Sequence, residues 1–253
     1  FFRIMLKKRI IPIVLLDGFS VLKTIQFDVR RNLGSPITVM RTYNTRNVDE
    51  LIILDIDASR SGRSVDKFLV QEISSDCFMP LTVGGGIKTC QDVETLLRAG
   101  ADKVSVNSCA YKTPSLVKEM VDNFGSQCIV GSVDCIRVGV DYFPFCNNEI
   151  VGDISLLEAL KRMEDLFVGE VLINDVSRDG TMKGYDPELA HLAMTNINVP
   201  VIYAGGINSA ENAAKLALNV DVDAIGISSL FHFTETTPED CRAALRDRGV
   251  PAR

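Results

Sequence analysis

Two short glycine turns carry the first chemical signal in the chain. Gly84-Gly85-Gly86 stands just before a helix start, with Asn107-Ser108 after the next apolar run, and Gly205-Gly206 with Ser228-Ser229 repeats the arrangement further on. Glycine lets the backbone approach an anion closely, and amides at a helix start supply partial positive charge without any lysine. Gly85, Gly86, Asn107 and Ser108 are therefore candidate ligands of one phosphate, and Gly205, Gly206, Ser228 and Ser229 of a second. The plainer reading is that these glycines only permit tight turns; two such sites at matching positions favour anion binding. A pair of cradles facing each other would take a long substrate with a phosphate at each end.

The elements that must position these turns can be read from the apolar pattern. Leu51 to Leu54, Lys103 to Val106, Cys128 to Val133, Val171 to Ile173, Val199 to Tyr203 and Ala224 to Ile227 are short runs rich in Val and Ile with no alternation. Such runs fit strands buried on both faces, as in a parallel sheet. Helical patterns lie between them: Val93, Leu96 and Leu97 after a Thr89 cap, Leu156, Leu157 and Leu160 after Ser155, and Ala213, Leu216 and Ala217 after Ser209. Strand and helix alternate, so βαβ units are expected.

The chain also repeats itself. Asp55 in Leu-Ile-Ile-Leu-Asp-Ile-Asp and Asp175 in Val-Leu-Ile-Asn-Asp-Val-Ser are 120 positions apart, as are Gly85 and Gly205, while 101–108 matches 222–229 at an offset of 121. Three colinear matches describe two copies of one half. Four βα units per half, doubled, predict an α/β fold of the (β/α)8 barrel type: one domain over 1–253, with half-barrels at roughly 5–124 and 125–253. In such a barrel the chemistry sits in the loops at the C-terminal ends of the strands, where both glycine turns lie.

Composition narrows the function classes. The chain has 253 residues, is 46% hydrophobic and 24% charged, and carries a formal charge of −6. That is globular usage. The acidic balance argues against broad nucleic-acid or anionic-membrane binding, which needs a basic surface. No apolar run approaches the ~20 residues that cross a bilayer. Phe1 to Lys8 has basic residues but no small-residue cleavage site after the apolar run, so a secretory leader is not expected there, and Met5 is the expected natural start. The seven scattered cysteines show no C-x-x-C spacing, which disfavours a disulfide framework or zinc site and points to a reducing cytoplasm with most thiols buried or inert. His191 and His232 lack acidic company and read as structural, so neither a metal nor a cofactor is expected.

Across nearly its whole length the sequence resembles the cyclase subunit of imidazole glycerol phosphate synthase. The resemblance is carried by Lys8-Arg9-Ile10-Ile11-Pro12, Leu54-Asp55-Ile56-Asp57-Ala58-Ser59, Thr82-Val83-Gly84-Gly85-Gly86-Ile87, Gly100-Ala101-Asp102-Lys103-Val104-Ser105, Phe124-Gly125-Ser126-Gln127, Arg178-Asp179-Gly180-Thr181 with Gly184-Tyr185-Asp186, and Phe231-His232-Phe233. It implies a partner glutaminase subunit in a heterodimer, whose ammonia is joined to a bis-phosphorylated ribulosyl formimino-carboxamide ribotide. Imidazole ring closure then releases an aminoimidazole carboxamide ribotide. Adding ammonia to a carbonyl and expelling water calls for a proton donor and a proton acceptor, roles that two carboxylates in different environments can divide. The resemblance places one of them at Asp134, at the end of strand 5.

The other carboxylate is where the chain departs from the family pattern. Six residues on from Arg9, where the family has its strand 1 aspartate, stands Leu15. Asp17 is two positions on, on the same face of an extended strand and displaced by roughly 6–7 Å; it is a candidate substitute, an ordinary Asp-Gly turn being the alternative. Lys23 falls where the family has a substrate-contacting lysine, and Asp179 and Gly180 belong to the same substrate-contacting group. Arg9, Glu50, Lys103 and Glu170 match the ring of charges through which ammonia enters at the N-terminal mouth. Two functional readings follow: a working cyclase subunit, or a paralogue serving as ammonia conduit and docking module for an amidotransferase of cell-surface sugar synthesis. A purely structural interaction protein fits poorly with intact glycine turns. The loop from Arg137 to Asp153 diverges most and is expected to cover the substrate.

Overall fold

The computed structural model describes residues 7–152 and 154–253. The readings placed on Phe1 to Leu6, including a start at Met5, and on Asp153 lie outside the described residues. Eight parallel strands appear among those described: β1 (Arg9–Asp17), β2 (Leu51–Asp55), β3 (Leu81–Gly84), β4 (Lys103–Val106), β5 (Ile129–Val138), β6 (Glu170–Asp175), β7 (Val201–Ala204) and β8 (Ala224–Ile227). Each pairs with its neighbours in sequence. The ring closes through β8 on β1, with Arg9 opposite Ala224, and β5 on β6, with Asp134 opposite Asn174. The fold is a (β/α)8 barrel.

Helices α1 (Pro36–Thr45), α2 (Lys67–Ser75), α3 (Cys90–Arg98), α4 (Pro114–Phe124), α5 (Leu156–Asp165), α6 (Pro187–Asn196), α7 (Ala210–Val220) and α8 (Pro238–Arg246) form the outer shell. Thr89 and Ser155 start α3 and α5 with capping boxes, and Ser209 caps α7 through the Asn212 amide. Each cap satisfies amides that a helix start otherwise leaves unpaired.

The strands lack alternation because each has two buried faces. Outward residues such as Val14, Leu16, Ile53, Val83, Val104, Val133, Ile173 and Ile225 pack under the helices. Inward residues form a separate core in which Ile11, Ile52, Val130, Leu172 and Ile202 are at most 1% exposed. The barrel is thus filled across its middle, leaving space for chemistry only at its ends.

The internal repeat reaches the level of single hydrogen bonds. Asp66 caps α2 by accepting from the amides of Phe68 and Leu69, and Asp186, 120 positions later, caps α6 by accepting from Glu188 and Leu189. Asn107 and Ser228, which precede the short helices Ser108–Lys112 and Ser229–Phe233, share an unusual backbone conformation (φ −127°, ψ −83° and φ −121°, ψ −75°). Two insertions break the symmetry. A hairpin of Ser20–Ile25 and Val29–Gly34 follows β1, and strand Asp141–Cys146 folds back on the end of β5.

All seven cysteines are free thiols; Cys135 and Cys241 are buried and the other five half-buried, Cys146 among the residues lining the barrel mouth. Burial raises the pKa of Cys77, Cys90, Cys109, Cys135, Cys146 and Cys241, which keeps them in the less reactive thiol form.

Candidate active site at the mouth of the barrel

At the C-terminal ends of the strands lies a cavity of about 190 Å³, lined by loops from around the ring. All eight residues of the two expected cradles line it: Gly85, Gly86, Asn107 and Ser108 on one side, Gly205, Gly206, Ser228 and Ser229 on the other. The glycines are also required by packing. Gly85 and Gly205 have φ of +123° and +107°, and a Cβ would stand 2.3 Å from the Asp55 carbonyl oxygen and 2.7 Å from that of Asp175. Close packing by itself therefore demands glycine at both turns. Two buried polar atoms at repeat-related positions, Asn107 Oδ1 and Ser228 Oγ, have no hydrogen-bond partner among the described residues.

Between the cradles stands Asp134, on the inward face near the end of β5. Asn107 Nδ2 donates to its Oδ2 at 2.7 Å, and Asn174 Nδ2 to its Oδ1 at 3.2 Å. Burial pushes the carboxyl up to about 7; the two amides oppose that rise and the Asp179 charge adds to it. A carboxyl with this balance is able to give or take a proton near neutrality. The other carboxylates lining the cavity are differently placed. Asp55 is held by two Arg63 nitrogens at 2.6 and 3.0 Å, and Asp179 accepts from Thr24 Oγ1 at 2.7 Å and Lys23 Nζ at 3.2 Å.

Across the barrel from β5, strand β1 presents Leu15 to the cavity. Asp17 is not brought there: its side chain is 40% exposed and faces Arg30 at 3.6 Å. The strand stays extended, but at residue 17 it has already turned into its hairpin, where Asp17 pairs with Ser20. The expectation of Asp17 as a second catalytic carboxylate is corrected on that geometry. Lys23 is likewise buried beside Asp179 and outside the cavity lining, whereas Asp179 and Gly180 do line it. The hairpin after β1 reaches across to the β6 loop, the Gln26 amide donating to the Asp179 carbonyl at 2.9 Å. Its Phe27 meets Phe145 from the β5 insertion, ring centroids 6.4 Å apart, so the two insertions touch over the mouth.

The opposite end of the barrel holds a closed ring of charges. Arg9 reaches Glu50 at 2.8 Å and Glu170 at 2.7 Å, and Lys103 reaches Glu50 at 3.2 Å and Glu170 at 2.9 Å. Signs alternate around the ring, so each charge has two opposite neighbours, the condition for tolerating burial. Burial alone would raise the Glu50 carboxyl, but Arg9 and Lys103 together hold it below the usual carboxylate range. Burial likewise works against the Arg9 guanidinium, and the two glutamates outweigh it and raise its pKa.

A family model described as histidine biosynthesis protein matches residues 9–237. The chain belongs to this family. It is 41% identical over 249 residues to a Campylobacter jejuni protein named "Putative imidazole glycerol phosphate synthase subunit hisF2", covering 98% of this chain and 99% of that one. It is 38% identical over 253 residues to the imidazole glycerol phosphate synthase subunit HisF of Thermobifida fusca, covering 97% and 98% respectively.

Within this histidine biosynthesis barrel, sequence reasoning missed three features of the site. Asn174 holds Asp134, yet its repeat counterpart is Leu54, so the repeat gave no reason to single it out. Asn107 was assigned to a phosphate, while its amide nitrogen is engaged by Asp134 and only its oxygen is left over. The third is a pair of arginines, Arg30 and Arg60, that also line the cavity. His232, read as structural, is half-buried with its ring edge-on to Tyr43, and burial first, then Lys23 and Arg46, lowers its pKa to about 4.

Proposed function

We propose that this barrel is the cyclase subunit of an imidazole glycerol phosphate synthase, working with a glutaminase subunit in a heterodimer in the cytoplasm. The observation that carries the reading is one cavity holding both glycine cradles with Asp134 between them, above an intact ring of Arg9, Glu50, Lys103 and Glu170. A bis-phosphorylated ribulosyl formimino-carboxamide ribotide spans the mouth with one phosphate at each cradle. Ammonia from the glutaminase enters at the base, which requires one ion pair of the ring to part. It adds to the substrate carbonyl near Asp134, whose carboxyl gives a proton to the departing hydroxyl and recovers one as the imidazole ring closes. Phosphate anchoring fixes the reacting carbon against Asp134, a contribution of orientation rather than of proton transfer.

A second reading rests on Leu15. An aliphatic side chain faces the cavity from β1, so the proton transfers fall to Asp134 alone. This favours a paralogue in which the barrel conducts ammonia and docks partners for a separate amidotransferase of cell-surface sugar synthesis. Purified protein supplied with the ribulosyl substrate and an ammonium salt separates the two. The cyclase consumes substrate and releases the carboxamide ribotide; absence of turnover, with glutaminase still stimulated on mixing, selects the paralogue.

A further inference from the structure

The two cradles differ in charge. Asp179, Gly180, Met182 and Ile207 line the cavity together with Gly205 and Gly206; Arg178, whose Cβ lies 3.0 Å from where a Cβ at Gly206 would stand, is outside the lining and turns its guanidinium to the Gly184 carbonyl at 3.1 Å, to Asp175 at 3.5 Å and to Asp186 at 3.8 Å. The two basic residues of the lining are Arg60, in the β2 loop, and Arg30, in the hairpin after β1 and 3.8 Å from Asp57 of that same loop. The loop carrying Arg60 folds directly against Gly86, where a Cβ would lie 1.9 Å from the Arg63 carbonyl oxygen and 3.0 Å from the Ala58 Cβ. The offset of 120 runs through this loop, because its flanking pairs Asp55/Asp175 and Asp66/Asp186 both keep it; the counterpart of Arg60 is therefore Gly180. The second half of the barrel has no cation at that place.

Both guanidiniums have donors to offer. Arg63 is committed to Asp55 by its two hydrogen bonds. Arg30 instead stands 3.6 Å from Asp17 and 3.8 Å from Asp57, beyond hydrogen-bond reach, and its side chain is 29% exposed. Asp57 already accepts from Ser61 at 2.6 Å. Arg60 is exposed and, among the described residues, has no carboxylate within 4 Å. Guanidinium presents a planar fork of donors that matches phosphate oxygens.

We infer that Arg30 and Arg60 grip the phosphate at the Gly85 end, so that this end takes the fully ionised phosphate while the Gly205 end holds its phosphate with backbone amides and hydroxyls alone. This inference rests on the bis-phosphate reading of the cavity. The asymmetry gives a ligand with two unequal ends one preferred orientation. Because Arg30 lies in the hairpin after β1 and Arg60 in the β2 loop, the anion also ties the hairpin to the barrel.

Titration of the isotopically labelled chain with inorganic phosphate tests this, with the backbone amide resonances of Gly85 and Gly86 reporting one end and those of Gly205 and Gly206 the other. In the native chain both sets shift, the Gly85 set saturating first. In the Arg30→Gln/Arg60→Gln double variant the Gly85 midpoint rises by roughly tenfold or more, as expected for lost charge-assisted hydrogen bonds, while the Gly205 midpoint stays in place. Arg60→Lys, which keeps the charge but not the fork, falls between. A Gly85 midpoint unmoved in the double variant, with both ends still titrating, overturns the inference and leaves the bis-phosphate reading standing. No shift at either end in the native chain overturns both.

Discussion

Asn107, which lines the cavity, donates its amide N–H to Asp134 at 2.7 Å and keeps its amide oxygen buried with no partner among the described residues. One side chain thus orients the carboxyl and keeps an acceptor in reserve. Asn174 holds the second carboxyl oxygen from the neighbouring strand. These bonds favour the ionised form and work against burial, which sets the carboxyl near 7. Replacing either amide by Leu should move the Asp134 titration upward, read from its carboxyl carbon by NMR. A titration unmoved in both variants contradicts the assigned bonds.

The raised pKa also predicts how stability depends on pH. The native carboxyl keeps its proton to about 7, whereas in the unfolded chain it is lost near the ordinary value of about 3.9. Between those values unfolding releases a proton, so this group's contribution is full below the unfolded value and is lost as pH rises through the folded one, by at most about 1.4 kcal/mol per pH unit. Urea unfolding between pH 4.5 and 8 should show native chain and Asp134→Asn diverging in favour of the variant as pH rises. Parallel curves would show that the carboxyl ionises alike in both states.

The charged ring makes the opposite prediction. Glu50 is held below its ordinary range by Arg9 and Lys103 against the effect of burial, so its stabilisation is present above the unfolded value of about 4.3 and lost as pH falls through the folded value. Glu50→Gln leaves two cations sharing Glu170, and removal of one partner from a largely buried pair costs about 3 kcal/mol. The stability difference from the native chain should be evident at pH 6 and shrink below about pH 4. A difference that does not change with pH would assign the loss to packing instead of charge.

The packing demand on the glycine turns is separable from phosphate binding. Gly205→Ala places a methyl 2.7 Å from the Asp175 carbonyl oxygen at a φ of +107°, and about 2–3 kcal/mol of destabilisation is expected from strain of this kind. Thermal unfolding without any ligand should show the loss. An unchanged melting temperature would mean that the turn is free to relax, leaving anion access as the reason for glycine.

Much of this architecture was legible because it is written twice. The strands from Leu51, Lys103, Val171 and Ala224, the caps at Thr89, Ser155 and Ser209, and the paired glycine turns all follow from local pattern plus the offset of 120. What broke the repeat was harder to read. Asp17 looked able to replace Leu15 by strand alternation, but the hairpin begins there and carries its carboxylate toward Arg30. Asn174 and Arg60 face Leu54 and Gly180 in the other half, so the symmetry that revealed the fold hid the residues that make its two ends different. Contacts such as Phe27 with Phe145 join segments far apart in sequence and have no local signature.

The central claim is that Asp134 moves the protons of ring closure while the cradles hold the substrate above it. Turnover of the ribulosyl substrate with ammonium salt, compared between native chain and Asp134→Asn, tests it most directly. The account predicts consumption of substrate by the native chain and a loss of roughly 10²–10⁴-fold in the variant, the usual worth of a general acid or base, with KM little changed. Equal rates in the two proteins would contradict it.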